Sequence, residues 1–179
     1  MLIMAAGMLL FFGSHLVPLL PVSSTLQEKL GVNKYKGLIA LPSIIGIILI
    51  VIGYRQASIE LLWIPVSYSR EMALHLMPVA FILLAAAHMK TNIRRFIKHP
   101  MLAGILIWAV LHLLNNGEVR AVILFSAFAI YAVLDMLLTK KSKAAQHYPI
   151  KKDIIVVVAG TFTYVVVLFV HGWAGVPLF

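Results

Sequence analysis

The fold is decided by the stretch Lys98-His99-Pro100-Met101-Leu102-Ala103-Gly104-Ile105-Leu106-Ile107-Trp108-Ala109-Val110-Leu111-His112-Leu113-Leu114-Asn115-Asn116-Gly117-Glu118. Pro100 suits the first turn of a helix, because its missing N–H would have no partner there. About fourteen mostly apolar residues follow, and Asn-Asn-Gly indicates a helix end with a tight turn. We therefore predict an apolar helix that begins at a cationic edge and crosses a membrane.

One face of this helix is the candidate functional site. Trp108 and His112 are four residues apart and share a face, and Met101 and Gly104 fall on the same stripe. An imidazole inside a bilayer needs a partner, which is another side chain, a metal or a cofactor. The face therefore combines a small residue, a flat aromatic ring and a potential ligand.

The composition is that of an integral membrane protein. Of 179 residues, 62% are hydrophobic and 12% are charged, and the mean hydropathy is +1.00. The net charge of +9 comes from short loops between apolar runs, so it indicates membrane orientation and not nucleic-acid binding. The absence of cysteine excludes disulfides, thiolate metal sites and cysteine nucleophiles.

The chain is predicted to be all-α, a single transmembrane helix bundle over residues 1–179 with six spans. The spans are expected at about Leu2–Leu20, Gly37–Tyr54 and Met72–His88, then the quoted stretch, then about Val119–Leu138 and Ile154–Gly172. The first is expected to be a retained span, because no charged side chain precedes Glu28. The fourth is short, so it either reaches back into the Arg94–Lys98 edge or thins the bilayer.

Charge asymmetry predicts the orientation of the spans. The loops after spans one, three and five carry twelve Lys and Arg residues, and the other loops carry three. By the positive-inside rule, the basic loops lie in the cytoplasm and both termini lie outside. A short surface helix is predicted at Ser24–Gly31, from Ser24-x-x-Gln27 and the glycine stop. Gly104 and Ala85-Ala86-Ala87 are expected to allow close helix approach.

Seven histidines in so apolar a chain are the strongest functional signal. His147 is expected to be solvated in a basic loop, His171 to be interfacial, and His88 and His99 to lie at the cytoplasmic boundary. The deeper histidines, where ionisable side chains are rare and usually functional, are His15, His75 and His112. The plainer alternative is an interhelical hydrogen bond to Ser, Thr or Asn.

Iron porphyrin suits these residues best. Without cysteine and with almost no carboxylate at depth, a di-iron or zinc hydrolase site is hard to build. Asp135, the one acid well inside a span, is expected to pair with Arg94 or Arg95. Two axial imidazoles, flat aromatic walls such as Trp108 and basic residues for the propionates match a haem site.

The sequence resembles the NnrU family of bacterial membrane proteins and, more distantly, the zeta-carotene isomerases of plants and cyanobacteria. The motifs that carry the resemblance are Phe12-Gly13-Ser14-His15, Gly53-Tyr54-Arg55, His99-Pro100, Trp108-x-x-x-His112, Asn116-Gly117-Glu118 and Asp135. The resemblance implies a role linked to nitrite and nitric oxide reduction in denitrifying bacteria, in the cytoplasmic (inner) membrane. The related isomerase binds haem b, and its proposed axial ligands correspond to His15 and His112. The chain lacks a cysteine near His112 and a histidine in span five, and both departures weigh against isomerase activity.

The predicted cofactor-binding residues are therefore His15, His112, Trp108, Arg94 and Arg95, and no catalytic residue is assigned. At ~1.5 Å rise per residue, His112 lies roughly 20 Å from the cytoplasmic end of the fourth span. His15 lies only roughly 9 Å from the cytoplasmic end of the first span. Because axial nitrogens on one iron are about 4 Å apart, His75, nearer the level of His112, is the alternative second ligand.

The sequence is also compatible with two other functions. Lys98-His99-Pro100 resembles the Arg-His-Pro motif of isoprenylcysteine carboxyl methyltransferases, which bind S-adenosylmethionine, but the chain lacks their paired glutamates. The other possibility is a non-catalytic accessory subunit in which the histidines are packing contacts. The expected partners are the lipid bilayer and haem, with no nucleic acid, and either a second copy or a respiratory protein.

Overall fold

The protein is built from helices joined by short loops. A computed structural model describes residues 1–139 and 146–173, and these residues contain no β-strand beyond one isolated bridge between Leu61 and Glu118. The helices are α1 (Leu2–Leu16), α2 (Val22–Leu30), α3 (Val32–Gln56), α4 (Ser69–His88), α5 (Ile93–Phe96), α6 (Pro100–Asn115), α7 (Val119–Leu138) and α8 (Ile150–Trp173). The all-α prediction is confirmed.

The predicted spans correspond to long apolar helices. Five helices of the described chain are long and apolar enough to cross a membrane, and α6, at 16 residues, is shorter. Their outward side chains are apolar, as at Leu9 and Phe169, which are 77% and 75% exposed. Such surfaces suit lipid, and the chain is a multi-pass membrane protein. Lys140, Lys141 and Lys143, which the charge count includes, lie outside the described residues.

The bounds of the central helices are close to those predicted. Pro100 occupies the first turn of α6, which ends at Asn115, and α7 spans Val119–Leu138 as expected. Of the two alternatives for this short span, the one in which α6 reaches back into the Arg94–Lys98 edge is wrong, and local thinning of the bilayer stays a prediction. Ile97 has an extended backbone, with φ −110° and ψ 111°, and it separates α6 from the single turn of α5.

The first span and the surface helix differ in detail from their predictions. Pro18 lies in a 3₁₀ turn over Val17–Leu19 that follows α1, so the α-helix ends at Leu16. α2 begins two residues before the predicted cap: the hydroxyl of Ser24 donates to the carbonyl of Pro21 at 3.2 Å, inside the helix. Gly31 ends α2 with φ +74°, a conformation that glycine adopts without strain.

The chain forms two compact units, the first of which comprises residues 1–62 and 118–124. In this first unit α1 packs against α3 through Gly7 and Gly46. A Cβ atom at Gly7 would lie 2.6 Å from the backbone nitrogen of Ile50, and one at Gly46 would lie 2.8 Å from the carbonyl oxygen of Gly7. Small residues thus let the two backbones touch, which is the usual basis of helix pairing in lipid.

Arg120 closes the C-terminal end of α3 within the first unit. Its Nη1 donates to the carbonyl oxygens of Tyr54 at 2.9 Å and Ala57 at 3.3 Å, and its Nε bonds Glu118 at 2.6 Å. The guanidinium carbon lies 4.6 Å from the centroid of the Tyr54 ring. One arginine therefore satisfies carbonyls that the last turn of a helix leaves without intrahelical donors.

Among the described residues, the second unit comprises 63–117, 125–139 and 146–173. α4 packs against both α6 and α8. A Cβ atom at Gly104 of α6 would lie 2.7 Å from the carbonyl oxygen of Ala80, so the predicted close approach at Gly104 is confirmed. Ser69, at the start of α4, donates to Asn115 at the end of α6 at 3.0 Å. The beginning of α4 therefore lies beside the end of α6.

Candidate functional site

His112 lies in the last turn of α6 with one ring nitrogen already engaged. Its Nδ1 is 2.8 Å from the carbonyl oxygen of Trp108, four residues earlier on the same helix. A carbonyl oxygen only accepts hydrogen bonds, so this contact assigns the proton to Nδ1. Nε2 then carries the lone pair, and the ring edge that holds it points away from the backbone of α6.

Aromatic rings surround His112. Phe125 of α7, a buried residue, stacks on the imidazole with ring centroids 4.5 Å apart and planes 29° apart. Trp108 lies 4.9 Å away on the helix of His112 and makes edge-to-face contacts with Phe125 and Phe128 at 5.0 and 5.3 Å. The predicted grouping of Trp108 with His112 is confirmed as a contact between rings.

A second histidine completes this group. The imidazole of His171, in the last turn of α8, has its centroid 6.4 Å from that of His112, with the planes 52° apart. Its Nδ1 is 3.2 Å from the carbonyl oxygen of Val167. We call Trp108, His112, Phe125, Phe128 and His171 the histidine–aromatic cluster.

The sequence predicts an interfacial position for His171 and does not predict its proximity to His112. A signal was nevertheless present in the predicted topology. Spans four and six run in the same direction, and each carries its histidine near its final residues. His112 and His171 are therefore predicted to lie at similar depths in the membrane. Depth alone does not predict which helices are neighbours.

His15 has the same local geometry in the first unit but different neighbours. Its Nδ1 is 2.8 Å from the carbonyl oxygen of Phe11, and the Phe11 ring lies 4.2 Å from the imidazole. The hydroxyl of Ser43 lies 3.4 Å from the same Nδ1 and 2.8 Å from the hydroxyl of Ser14. His15 therefore adjoins a pair of hydroxyl groups that links α1 to α3.

The remaining histidines lie in more exposed or terminal positions. His75 is exposed, and its Nδ1 is 2.7 Å from the carbonyl oxygen of Glu71. His88 is exposed at the end of α4, and His147 is exposed and accepts a hydrogen bond from Arg95 at 2.6 Å. His99 is the residue before α6, and its Nδ1 is buried without a hydrogen-bond partner in the described chain.

The structure does not bring Arg94 and Arg95 together with His112. Both arginines lie in α5, before α6 begins at Pro100, and His112 lies about 18 Å farther along the axis at 1.5 Å per residue. Asp135 was predicted to pair with one of these arginines, and that prediction is wrong. Its carboxylate accepts hydrogen bonds from Tyr131 at 3.0 Å and Thr139 at 2.6 Å, both one turn away on α7.

A loop-anchoring group of polar side chains lies at the start of α8. The carboxylate of Asp153 accepts a hydrogen bond from the hydroxyl of Thr91 at 2.5 Å, and from the backbone and side-chain amides of Asn92 at 2.8 and 2.7 Å. Asn92 also bonds the backbone of Tyr148 in both directions. All the donors and acceptors pair with one another, so the group holds loops together and offers no open ligand position.

The histidine–aromatic cluster offers imidazole nitrogens, which are common metal ligands. Within the described residues, no group of three or more His, Cys, Asp or Glu side chains is placed to hold a metal ion. A porphyrin supplies four nitrogen ligands itself, so imidazoles are the only protein donors it needs. Depressions of about 390 Å³ and 280 Å³ lie beside Gly53 and Ile130 and are lined by other residues.

The comparisons with known proteins identify one family. A family model described as NnrU protein matches residues 3–178, which is nearly the whole chain. No curated protein and no solved structure matches the chain.

Proposed function

Given that the chain belongs to the NnrU family, we propose that it is a membrane protein that binds haem b, with Nε2 of His112 as a ligand of the iron. The observation that carries the proposal is the packing of Phe125 and Trp108 against the imidazole of His112, whose Nδ1 is held by the carbonyl oxygen of Trp108. Metal-bound histidines typically hold their other nitrogen in this way, because the bond sets the tautomer and orients the ring.

The surroundings of His112 strengthen this proposal over a simple packing role. An i−4 carbonyl bond also occurs at His15 and His75, so the bond alone does not select His112. His112 differs because Phe125 and Trp108 cover its imidazole with flat apolar rings. Such walls limit the access of water to the ring and fix its orientation.

The residues of the cluster have distinct roles in this proposal. When bound, haem b supplies an iron centre that exchanges single electrons or binds a small diatomic ligand. His112 holds and orients the group, the carbonyl of Trp108 makes the imidazole a stronger donor, and Phe125 restricts ring rotation. This function agrees with the link to nitrite and nitric oxide reduction that the family resemblance implies, and no substrate or catalytic residue is proposed.

The proposal includes the topology of the chain. α6 is the short fourth of six spans in a bacterial cytoplasmic membrane, and both termini lie outside. The chain has no cysteine, so single introduced cysteines can be labelled without background. In intact cells a membrane-impermeant maleimide should label Ile64→Cys and should label Lys98→Cys only after lysis. The reverse pattern would contradict the orientation.

Absorption spectroscopy of the full chain tests the haem proposal. Protein made with ample haem and purified in detergent should show a Soret band and one haem b per chain. His112→Ala should lose most of that haem. His147→Ala should retain it, because His147 is an exposed residue that contacts Arg95. Wild-type protein without a Soret band would overturn the proposal. An unchanged spectrum in His112→Ala as well as in His147→Ala would also overturn it.

The two other functions predict different results from the same preparation. Binding of S-adenosylmethionine in calorimetry without a chromophore would indicate a methyltransferase-like protein. Copurification with a stoichiometric partner and no chromophore would indicate an accessory subunit.

A further inference from the structure

We propose that the part of the second unit around α5 and the start of α8 binds the headgroup of an anionic phospholipid. This inference concerns a different part of the chain from His112 and does not depend on haem. It begins from four exposed cations on two segments of the chain, which we call the basic face: Lys90, Arg94, Lys151 and Lys152.

Hydrogen bonds between Asn92 and Asp153 hold the two segments of the basic face side by side. The carboxylate of Asp153 accepts from the backbone amide of Asn92 at 2.8 Å and from its side-chain amide at 2.7 Å. Each of the four cations lies within two residues of Asn92 or Asp153 along the chain. The fold therefore concentrates in one place positive charges that are far apart in the sequence.

The one nearby acid forms no ion pair with these cations. Asp153 is the only acidic residue among residues 88–100 and 146–154. Its Oδ1 accepts from the hydroxyl of Thr91 and the backbone of Asn92, and its Oδ2 accepts from the side chain of Asn92, so its donors are neutral groups. Within the described chain, no cation of the basic face forms an ion pair with a carboxylate. These ammonium and guanidinium groups are thus available to a phosphate, which both side chains bind well.

Two exposed apolar side chains adjoin the basic face. Phe96 of α5 is 74% exposed, and Ile150, the first residue of α8, is 76% exposed. α5 lies between α4 and α6, so both side chains lie beside the ends of apolar helices that lipid surrounds.

This combination of groups favours lipid as the partner. Apolar side chains flanked by basic residues are typical of segments at an anionic membrane surface, where the apolar groups enter the boundary of headgroups and acyl chains. The same lipid molecule can therefore satisfy both parts of the surface: its phosphate meets the cations and its acyl chains meet Phe96 and Ile150.

Native mass spectrometry of the full-length protein in detergent, with equal amounts of added phosphatidylglycerol and phosphatidylcholine, tests the inference. The two lipids share the phosphodiester and differ in net charge. Wild-type protein should retain phosphatidylglycerol about tenfold more strongly, and Arg94→Gln/Lys152→Gln should lose most of this preference, because each basic residue near the surface adds to the attraction. Lys29→Gln/Lys34→Gln removes the same charge from exposed lysines of the first unit and should keep the preference.

A second pair of variants tests the apolar part of the surface. Phe96→Ser should weaken retention of both lipids, because the contact with acyl chains does not depend on the charge of the headgroup. Phe96→Leu keeps an apolar side chain and should retain both lipids as the wild-type protein does.

The possible outcomes also distinguish lipid from other anions. Equal retention of the two lipids by wild-type protein would overturn the inference, and so would equal losses in the two double variants, since total charge would then explain the binding. Displacement of phosphatidylglycerol by inorganic phosphate would assign the basic face to a free anion and overturn the lipid assignment. Binding of poly-glutamate without any preference between the lipids would indicate an acidic protein partner and would overturn it as well.

Discussion

His15 in the first unit and His112 in the second have the same local structure and different surroundings. Each follows an aromatic residue by four positions and contacts that residue's carbonyl oxygen through Nδ1, at 2.8 Å in both cases. His15 adjoins the hydroxyl of Ser43, whereas His112 lies against Phe125 and near His171. The helix thus determines the tautomer, and the packing of neighbouring helices determines what each imidazole can bind.

The largest expected effect tests whether both units depend on backbone contact between helices. Gly7→Leu and Gly104→Leu should each lower the free energy of unfolding by more than ~3 kcal/mol, because their side chains would meet backbone atoms. Gly13→Leu should have little effect, since no atom lies within 4 Å of its Cβ position. Unfolding in detergent, followed by circular dichroism, measures the difference. Equal losses at Gly13 and Gly7 would contradict the packing.

A smaller effect is expected at Arg120, which belongs to the first unit. Arg120→Ala should cost ~2–3 kcal/mol, because Glu118 and the carbonyls of α3 lose a partly buried partner. Arg55→Ala is the matched control, since Arg55 is exposed near the end of the same helix. Thermal unfolding of the two variants provides the comparison. If Arg55→Ala lowers stability as much as Arg120→Ala does, the loss of one positive charge explains both results, and the hydrogen bonds of Arg120 contribute nothing.

The stacking residues of the two histidines provide a sharper comparison. Phe125→Leu should release haem about fivefold faster, because a stacked aromatic pair contributes ~1 kcal/mol. Phe11→Leu makes the equivalent change beside His15. Transfer of haem to an excess of apomyoglobin measures the rate of release. Equal acceleration in the two variants would mean that the surroundings of His112 are not specific to haem.

The smallest effect concerns the hydroxyl pair beside His15. Ser43→Ala should cost only ~0.6 kcal/mol, the average contribution of an interhelical hydrogen bond inside a membrane. Ser58→Ala, which removes an exposed hydroxyl bound to Glu60, serves as the control. Both variants should keep the wild-type absorption spectrum. A spectral change in Ser43→Ala alone would connect this hydroxyl pair with the cofactor.

Much of the fold could be predicted because apolar runs and their boundaries are local features. α7 has the predicted bounds since Gly117 precedes it closely and polar residues follow it, and α6 begins at Pro100 as its chemistry requires. The end of α1 was less predictable, because the hydrophobic run continues past the turn that contains Pro18. Hydropathy records where a chain enters lipid and not where its backbone changes conformation.

The candidate site was only half predictable. The contact of Trp108 with His112 follows from helical spacing, but the contact of His112 with His171 depends on which helices pack together. The predicted pairing of Asp135 with an arginine is wrong because the partners of Asp135 are local and not distant. Tyr131 and Thr139 satisfy it from one turn away, so it needs no distant arginine.

The most direct test of this account is the absorption spectrum of the wild-type protein in its oxidised and reduced states. Haem b bound through His112 predicts a Soret band in the oxidised protein that shifts on reduction. A spectrum with only the absorbance of Trp and Tyr, from protein made with sufficient haem, would contradict it.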